Sequence, residues 1–223
     1  MSADRLPPPG LVVSVMPTST TPWRTLADMA RLAEAAERGG AVAVKVDGPS
    51  AVRAVRAATS LPVLAVHIAE HGDGRMVITP TVAHAHELLD AGADMVELEA
   101  DAAARAAMGQ DAGALLAAVA ELGAPVKAGV RRVADGVAAE LAGAVVVGSS
   151  VLGYGPGGAV PGPDLGLVAD LVAALDVPVS AERGFADLAD VSRARGLGAR
   201  YVVVGSAITD PAFLTRSFAA AFE

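Results

Sequence analysis

Hydrophobic positions along the chain alternate between short β-branched runs and longer runs rich in alanine and leucine. Eight short runs predict strands, at residues 11–16, 42–46, 63–68, 94–99, 125–129, 144–148, 177–181 and 201–204. The longer runs predict helices over about 24–38, 50–58, 79–89, 101–121, a stretch ending near 141, 164–175, 185–195 and 211–222. Eight unbroken strand–helix units in 223 residues predict a single α/β domain, a (β/α)₈ or TIM barrel spanning residues 1–223.

Composition narrows the possible partners and locations. The formal net charge is −8, which argues against a nucleic-acid surface because such a surface needs a basic patch. The absence of cysteine excludes disulfides, thiolate zinc sites and cysteine nucleophiles. The first ten residues lack the apolar stretch of a signal peptide, and no uninterrupted apolar run of about 18 residues occurs. We therefore expect a cytoplasmic protein without nucleic-acid or membrane partners.

The last two predicted strands end in residues suited to binding phosphate. In (β/α)₈ barrels the loops after the final strands often hold a phosphate group. Here the eighth strand is followed by Gly205 and Ser206, and the seventh leads to Arg183 and Gly184. Glycine allows close approach to the backbone, while a hydroxyl and a guanidinium add donors. This pattern predicts a small phosphorylated ligand; the alternative is that the two glycines only form tight turns.

One long loop, 149–163, follows the sixth predicted strand and is rich in glycine and proline. Loops of this length in compact domains are often functional. Tyr154 in this loop is therefore a candidate ligand contact. His84 and His86, by contrast, are two residues apart on a predicted helix and do not share a face, so we predict no metal site there.

Seven phrases stand in a particular order and spacing: GLVVSV (10–15), AAERGGAVAVKVDG (35–48), ITPT (78–81), HELLDAGADMVELEAD (86–101), GSSVLGYG (148–155), AERG (181–184) and YVVVGSAIT (201–209). Taken together, they resemble the N-acetylmannosamine-6-phosphate 2-epimerases over nearly the whole chain. This resemblance implies reversible inversion at carbon 2, interconverting N-acetylmannosamine 6-phosphate and N-acetylglucosamine 6-phosphate in amino-sugar catabolism. It implies no metal or redox cofactor, and it suggests a homodimer formed through the terminal helix.

The resemblance assigns roles position by position. It places Glu182 at the family's catalytic glutamate and Lys45 at a position where the family has arginine. Ile68 stands where the family has its catalytic lysine, and Gly129 where it has an aspartate. Two further departures are a methionine for a glutamine and an aspartate for a phosphate-side arginine, at Met16 and Asp210.

Side-chain alternation along the strands predicts which charged residues face the barrel axis. If Ile68 faces the axis, His67 faces the helices. Unpaired charges are costly in a dry interior, so the inward charges must line a polar pocket or pair with one another. This inward set is Lys45, Asp47, Glu97, Glu99, Lys127 and Glu182.

Two interpretations of this set stay open. In the first, Lys127 or Lys45 replaces the missing base, while Glu182 is the partner acid or orients the carbonyl. In the second, Glu97 and Lys127 form an ion pair without a catalytic role.

Two other functions fit the same scaffold. One is a different phosphosugar isomerase or an aldolase-type lyase, in which Lys45 or Lys127 forms a Schiff base if burial lowers its pKa. The other is a phosphosugar-binding protein without catalytic activity, since one barrel fold supports many functions.

Overall fold

A computed structural model describes residues 6–17, 21–70, 76–149 and 162–222. The strands in chain order are β1 (Gly10–Ser14), β2 (Ala43–Asp47), β3 (Val63–Val66), β4 (Ile68–Glu70), β5 (Met76–Ile78), β6 (Met95–Glu99), β7 (Val126–Gly129), β8 (Val146–Gly148), β9 (Val179–Glu182) and β10 (Tyr201–Val204). Eight of them pair in parallel and close into a barrel in the order β1-β10-β9-β8-β7-β6-β3-β2, while β4 and β5 form an antiparallel hairpin. The predicted (β/α)₈ barrel is confirmed.

Helices follow the strands and cover the outside of the barrel. They are α1 (Leu26–Arg38), α2 (Pro49–Arg56), α3 (Val82–Asp90), α4 (Ala102–Ala106), α5 (Ala112–Ala120), α6 (Val133–Leu141), α7 (Leu165–Ala174), α8 (Leu188–Gly196), α9 (Ser206–Thr209) and α10 (Pro211–Ala219), with a 3-10 turn over Ala220–Phe222. Side-chain caps fix several starts: Thr25, for example, accepts a hydrogen bond from the backbone of Asp28. Within the described ranges, no helix has the length and apolar character needed to cross a bilayer.

The barrel interior is apolar toward the amino ends of the strands and polar toward their carboxyl ends. Outward-facing valines such as Val44 and Val46 pack against the helices in the main core. A second, inner cluster fills the amino-terminal half of the barrel and comprises Val12, Ala43, Leu64, Met95, Val146, Tyr201 and Val203. Because side chains alternate, the next inward positions along these strands lie closer to the carboxyl ends, which we call the mouth.

Three predicted elements are wrong in detail. The long helix predicted over 101–121 is two helices, because Gly109 adopts a left-handed φ of 68° and Asp111 starts α5 by capping the backbone of Ala114. The third predicted strand stops at Val66, and the chain continues into the β4–β5 hairpin. The following helix begins at Val82, later than the predicted start.

Candidate active site

Four charged side chains meet inside the barrel toward its mouth. They come from β2, β6, β7 and β9, and each residue is at most 6 % exposed. Their inward orientation agrees with the alternation predicted from the sequence. We call this group the four-charge cluster; its members are Lys45, Glu97, Lys127 and Glu182.

The cluster is a closed ring of alternating charges. Glu97 Oε2 lies 2.7 Å from Lys45 Nζ and 2.8 Å from Lys127 Nζ. On the opposite side, Glu182 Oε2 accepts a hydrogen bond from Lys45 Nζ at 2.8 Å, and its Oε1 contacts Lys127 Nζ. The predicted Glu97–Lys127 ion pair is therefore confirmed. Two cations and two anions balance, which offsets the cost of burying each charge.

The surroundings fix the charge state of two cluster members. Burial alone would lower the pKa of Lys45, but attraction by Glu182 and Glu97 outweighs it and raises that pKa above the ordinary value. Burial alone would raise the pKa of Glu182, but Lys127 and Lys45 lower it to about 2. At neutral pH, Lys45 is an ammonium ion and Glu182 a carboxylate.

Small and hydroxyl-bearing residues complete the surroundings of Glu182. The Ser180 hydroxyl donates a hydrogen bond to Glu182 Oε1 at 3.1 Å, and Ser149 Oγ accepts one from the Glu182 backbone at 3.0 Å. Gly148 faces the same space: a Cβ there would lie 2.9 Å from Lys127 Nζ and 3.2 Å from Glu182 Oε1. The cluster therefore depends on a glycine at the end of β8.

The predicted phosphate residues lie at two neighbouring strand ends. Gly205 and Ser206 form the turn between β10 and α9, where a Cβ on Gly205 would come 3.4 Å from that of Ser14. Arg183 and Gly184 follow β9, both with left-handed backbone, at φ 72° and 75°. The strands β9 and β10 pair side by side, so the structure brings these two turns to adjacent positions at the mouth.

Gly184 also has a packing role that the sequence did not reveal. A Cβ at Gly184 would overlap the carbonyl of Gly162, so its missing side chain accommodates the chain after the long loop. Tyr154 lies outside the described residues. Asp210 is buried and accepts hydrogen bonds from the backbone of Ala212 and Phe213, at 3.0 and 3.1 Å, so it caps α10.

The structure also places the other residues that depart from the family pattern. Ile68 begins β4, and its backbone donates a hydrogen bond to Asp47 Oδ1 at 2.8 Å. His67 faces the helices, as predicted: its Nδ1 lies 3.6 Å from Glu87 Oε2 on α3. Gly129 ends β7 and pairs with Gly148. Met16 follows β1 and is half-buried.

Arg105 is a buried residue that the sequence analysis missed. Its Nε donates to the carbonyl of Glu99 at 2.7 Å, which fixes the end of β6. Its two terminal nitrogens donate to three more backbone carbonyls at 2.9 to 3.1 Å, those of Ile78, Thr79 and Pro80. Burial lowers the pKa of Arg105 to about 10, so it stays charged at neutral pH. The available signal in the sequence was a single arginine within a run of alanines.

Ser180 was missed as well, although it lies two residues before Glu182 on the same inward face. Among the residues that the structure describes, no group of three or more histidine, aspartate or glutamate side chains is arranged to hold a metal ion.

The fold and the site define a (β/α)₈-barrel protein with a buried charged site at the carboxyl ends of its strands. The sequence profile of the family described as "Putative N-acetylmannosamine-6-phosphate epimerase" matches residues 29–223, and the chain belongs to this family.

Comparisons with individual relatives support the same family. The chain is 40% identical to the "Putative N-acetylmannosamine-6-phosphate 2-epimerase" of Cutibacterium acnes, over 94% of this chain and 92% of that protein. It is 35% identical to the protein of the same name from Thermosynechococcus vestitus, over 96% and 93%. The solved N-acetylmannosamine-6-phosphate 2-epimerase of Clostridium perfringens superposes with a TM-score of 0.84 at 29% identity, covering 95% of this chain and 92% of that chain.

Proposed function

We propose that this protein is an isomerase that interconverts N-acetylmannosamine 6-phosphate and N-acetylglucosamine 6-phosphate by moving a proton at carbon 2. Membership of the epimerase family supports this reaction. One feature of the site carries the proposal: Glu182 is an ionised carboxylate held between two ammonium groups. Removing a proton from carbon needs a base, and the charge that develops needs nearby cations. The four-charge cluster contains both.

Glu182 is the base in this proposal. Its carboxylate takes the carbon 2 proton of the open-chain sugar, and the electron pair of that C–H bond forms a double bond to carbon 1. Negative charge then develops on the carbon 1 oxygen, where the ammonium groups of Lys45 and Lys127 stabilise it. Lys45 lies on the same side of carbon 2 as the base, because it is hydrogen-bonded to Glu182 at 2.8 Å. A solvent water therefore returns the proton to the opposite face of carbon 2. The hydroxide left behind takes the proton held by Glu182, which restores the starting state.

This assignment differs from the first interpretation drawn from the sequence, in which a lysine was the base. An amine acts as a base only without its extra proton, and two carboxylates hold that proton on Lys45. The same argument disfavours the Schiff-base lyase, because imine formation needs a neutral amine.

The 6-phosphate is assigned to the turns after β9 and β10. The first backbone N–H groups of α9 and the Ser206 hydroxyl are its donors, and Gly205 allows close approach. Arg183 supplies a cation from the neighbouring turn, beside Gly184. Tyr154 stays a predicted contact.

The terminal helix supports a homodimer. Phe218 and Phe222 are 74% and 94% exposed, and a second copy of the chain is the partner that would cover them. Light scattering on the wild type and on Phe218→Ser with Phe222→Ser tests this: a monomeric wild type contradicts it. A phosphorylated substrate does not cross membranes unaided, so a cytoplasmic location goes with this function.

Single neutral replacements test the assigned roles. Glu182→Gln removes the base and is expected to reduce turnover by about 10²- to 10⁴-fold. Lys45→Met and Lys127→Met remove one cation each and should lower kcat. Glu34→Gln, at a half-buried carboxylate on α1, is the control with the same change in net charge as Glu182→Gln. Full activity in all three cluster variants would contradict the proposal.

A further inference from the structure

Glu97 joins the only two lysines in the sequence, Lys45 and Lys127. A single oxygen, Oε2, lies 2.7 and 2.8 Å from their ammonium nitrogens. The Glu97 side chain is fully buried. Its backbone is also held, because the Thr79 hydroxyl donates to the Glu97 carbonyl at 2.6 Å. Both ammonium groups are therefore anchored to a fixed point deep in the barrel.

Glu97 lies further from the mouth than Glu182. Glu97 lies two residues before the mouth end of β6, where it pairs with Lys127, the second residue of β7. Glu182, in contrast, is the last residue of β9. Below Glu97 on the same strand, Met95 belongs to the apolar inner cluster. A ligand entering from the mouth reaches Glu182 first, so Glu97 acts on the lysines rather than on the ligand.

Charge balance explains why a second carboxylate is needed. Without Glu97, two buried ammonium groups would share only Glu182, and an uncompensated charge in a dry interior is strongly destabilising. The remaining inward carboxyl groups, Asp47 and Glu99, lie at the mouth ends of β2 and β6. Burial raises the pKa of Asp47, which weakens it as a counter-charge.

We propose that Glu97 is a positioning residue: it anchors Lys45 and Lys127 side by side beneath Glu182, so that each ammonium group faces one oxygen of that carboxylate. The catalytic consequence rests on the proposed epimerase function, whereas the charge arrangement can be measured without any substrate.

Lysine-specific ¹⁵N labelling gives the most direct test, because only two side-chain amines carry the label. The proteins are the ligand-free wild type, Glu97→Gln and the charge control Glu34→Gln. In Glu97→Gln, at least one ammonium signal is expected to titrate about 1–2 pH units lower than in the wild type. Identical titrations of both signals in the wild type and Glu97→Gln would overturn the proposal.

A double variant tests charge sharing and guards against loss of folding. Glu97→Gln with Lys127→Met again pairs one cation, Lys45, with one anion, Glu182. We expect this double variant to fold and the Lys45 signal to move back toward its wild-type titration. If the double variant fails to fold while Lys127→Met alone folds, Glu97 serves Lys45 alone, and the shared-anchor proposal is wrong.

The pH dependence of activity is the second measurement. In Glu97→Gln the alkaline limb of kcat/KM is expected to move to lower pH, and kcat should fall more than KM changes; Glu97→Asp should restore part of kcat. An unmoved limb in an active Glu97→Gln protein contradicts the catalytic consequence. A wild type without epimerase activity would refute the proposed function, while the ligand-free titration would still decide the place of Glu97.

Discussion

Gly148 makes room for Lys127: a Cβ on Gly148 would lie 2.9 Å from both Cε and Nζ of that lysine. Gly148 is the last residue of β8, next to Gly129 on one side and Ser180 on the other. The absence of a side chain at this point allows the Lys127 ammonium to reach Glu182. A backbone position without chemistry of its own therefore shapes the four-charge cluster.

The first prediction follows from this contact. Gly148→Ala should push the flexible end of Lys127 away from Glu182 and lower turnover at least about tenfold, while the cost in stability stays near 1–3 kcal/mol. Turnover and urea unfolding measure the two effects. Gly166→Ala, at an exposed position of α7, is the control and should leave activity unchanged and stability equal or slightly higher. Wild-type turnover in Gly148→Ala would show that Lys127 need not touch Glu182.

Stability should fall in acid because of Glu182. Its pKa is lowered to about 2 in the folded protein, from an ordinary value of 4.5. Between these values the unfolded chain binds more protons, so lowering the pH from about 4.5 toward 2 favours unfolding. Urea unfolding at several pH values should show this slope in the wild type and a flatter one in Glu182→Gln. Equal slopes in both proteins would contradict the charge state assigned to Glu182.

Arg105 should be important for stability although it lies outside the four-charge cluster. Replacing it by alanine leaves the three buried carbonyls of Ile78, Thr79 and Glu99 without their Arg105 donor, and should cost at least about 3 kcal/mol. The Pro80 carbonyl keeps a donor, because Gln110 Nε2 also donates to it. Arg105→Lys should recover only part of this, because lysine lacks the planar fork. Arg53→Ala on the exposed face of α2 should change stability by less than about 0.5 kcal/mol. A similarly small loss in Arg105→Ala would refute the stabilising role of Arg105.

Asp210 is expected to serve α10 rather than oppose phosphate. Asp210→Ala should cost about 1 kcal/mol through loss of the helix cap, similar to Asp187→Ala at the start of α8. Because the carboxylate is directed to the backbone of α10, the Kd for N-acetylmannosamine 6-phosphate should stay unchanged in Asp210→Asn. Calorimetry measures the binding. A large gain in affinity on neutralising Asp210 would place its charge at the phosphate.

Periodicity predicted most of the barrel, and its failures have local causes. The strand at 201–204 is found with the predicted bounds because four apolar residues lie between a helix end and Gly205. The β4–β5 hairpin was missed because Ile68 continues the apolar run of β3, whereas its pairing with Ile78 depends on a contact ten residues away. A sequence pattern does not encode such pairing.

Alternation also predicted the inward charges and led to one of their pairs, Glu97 with Lys127, but not to the other three contacts. The period of two placed Lys45, Glu97, Lys127 and Glu182 on the inward face. Which carboxylate meets which ammonium depends on the stagger between strands and on space beside Gly148, and both are properties of the closed barrel. For the same reason the sequence suggested a lysine base, whereas the assembled cluster keeps Lys45 protonated.

The central claim is proton transfer at carbon 2, and solvent exchange tests it most directly. N-acetylmannosamine 6-phosphate is incubated with the protein in D₂O, and the carbon 2 proton is followed by NMR. The account predicts that N-acetylglucosamine 6-phosphate forms and that carbon 2 acquires deuterium, with both changes lost in Glu182→Gln. Binding of the sugar phosphate by the wild type, seen as thermal stabilisation, with neither exchange nor interconversion would contradict it.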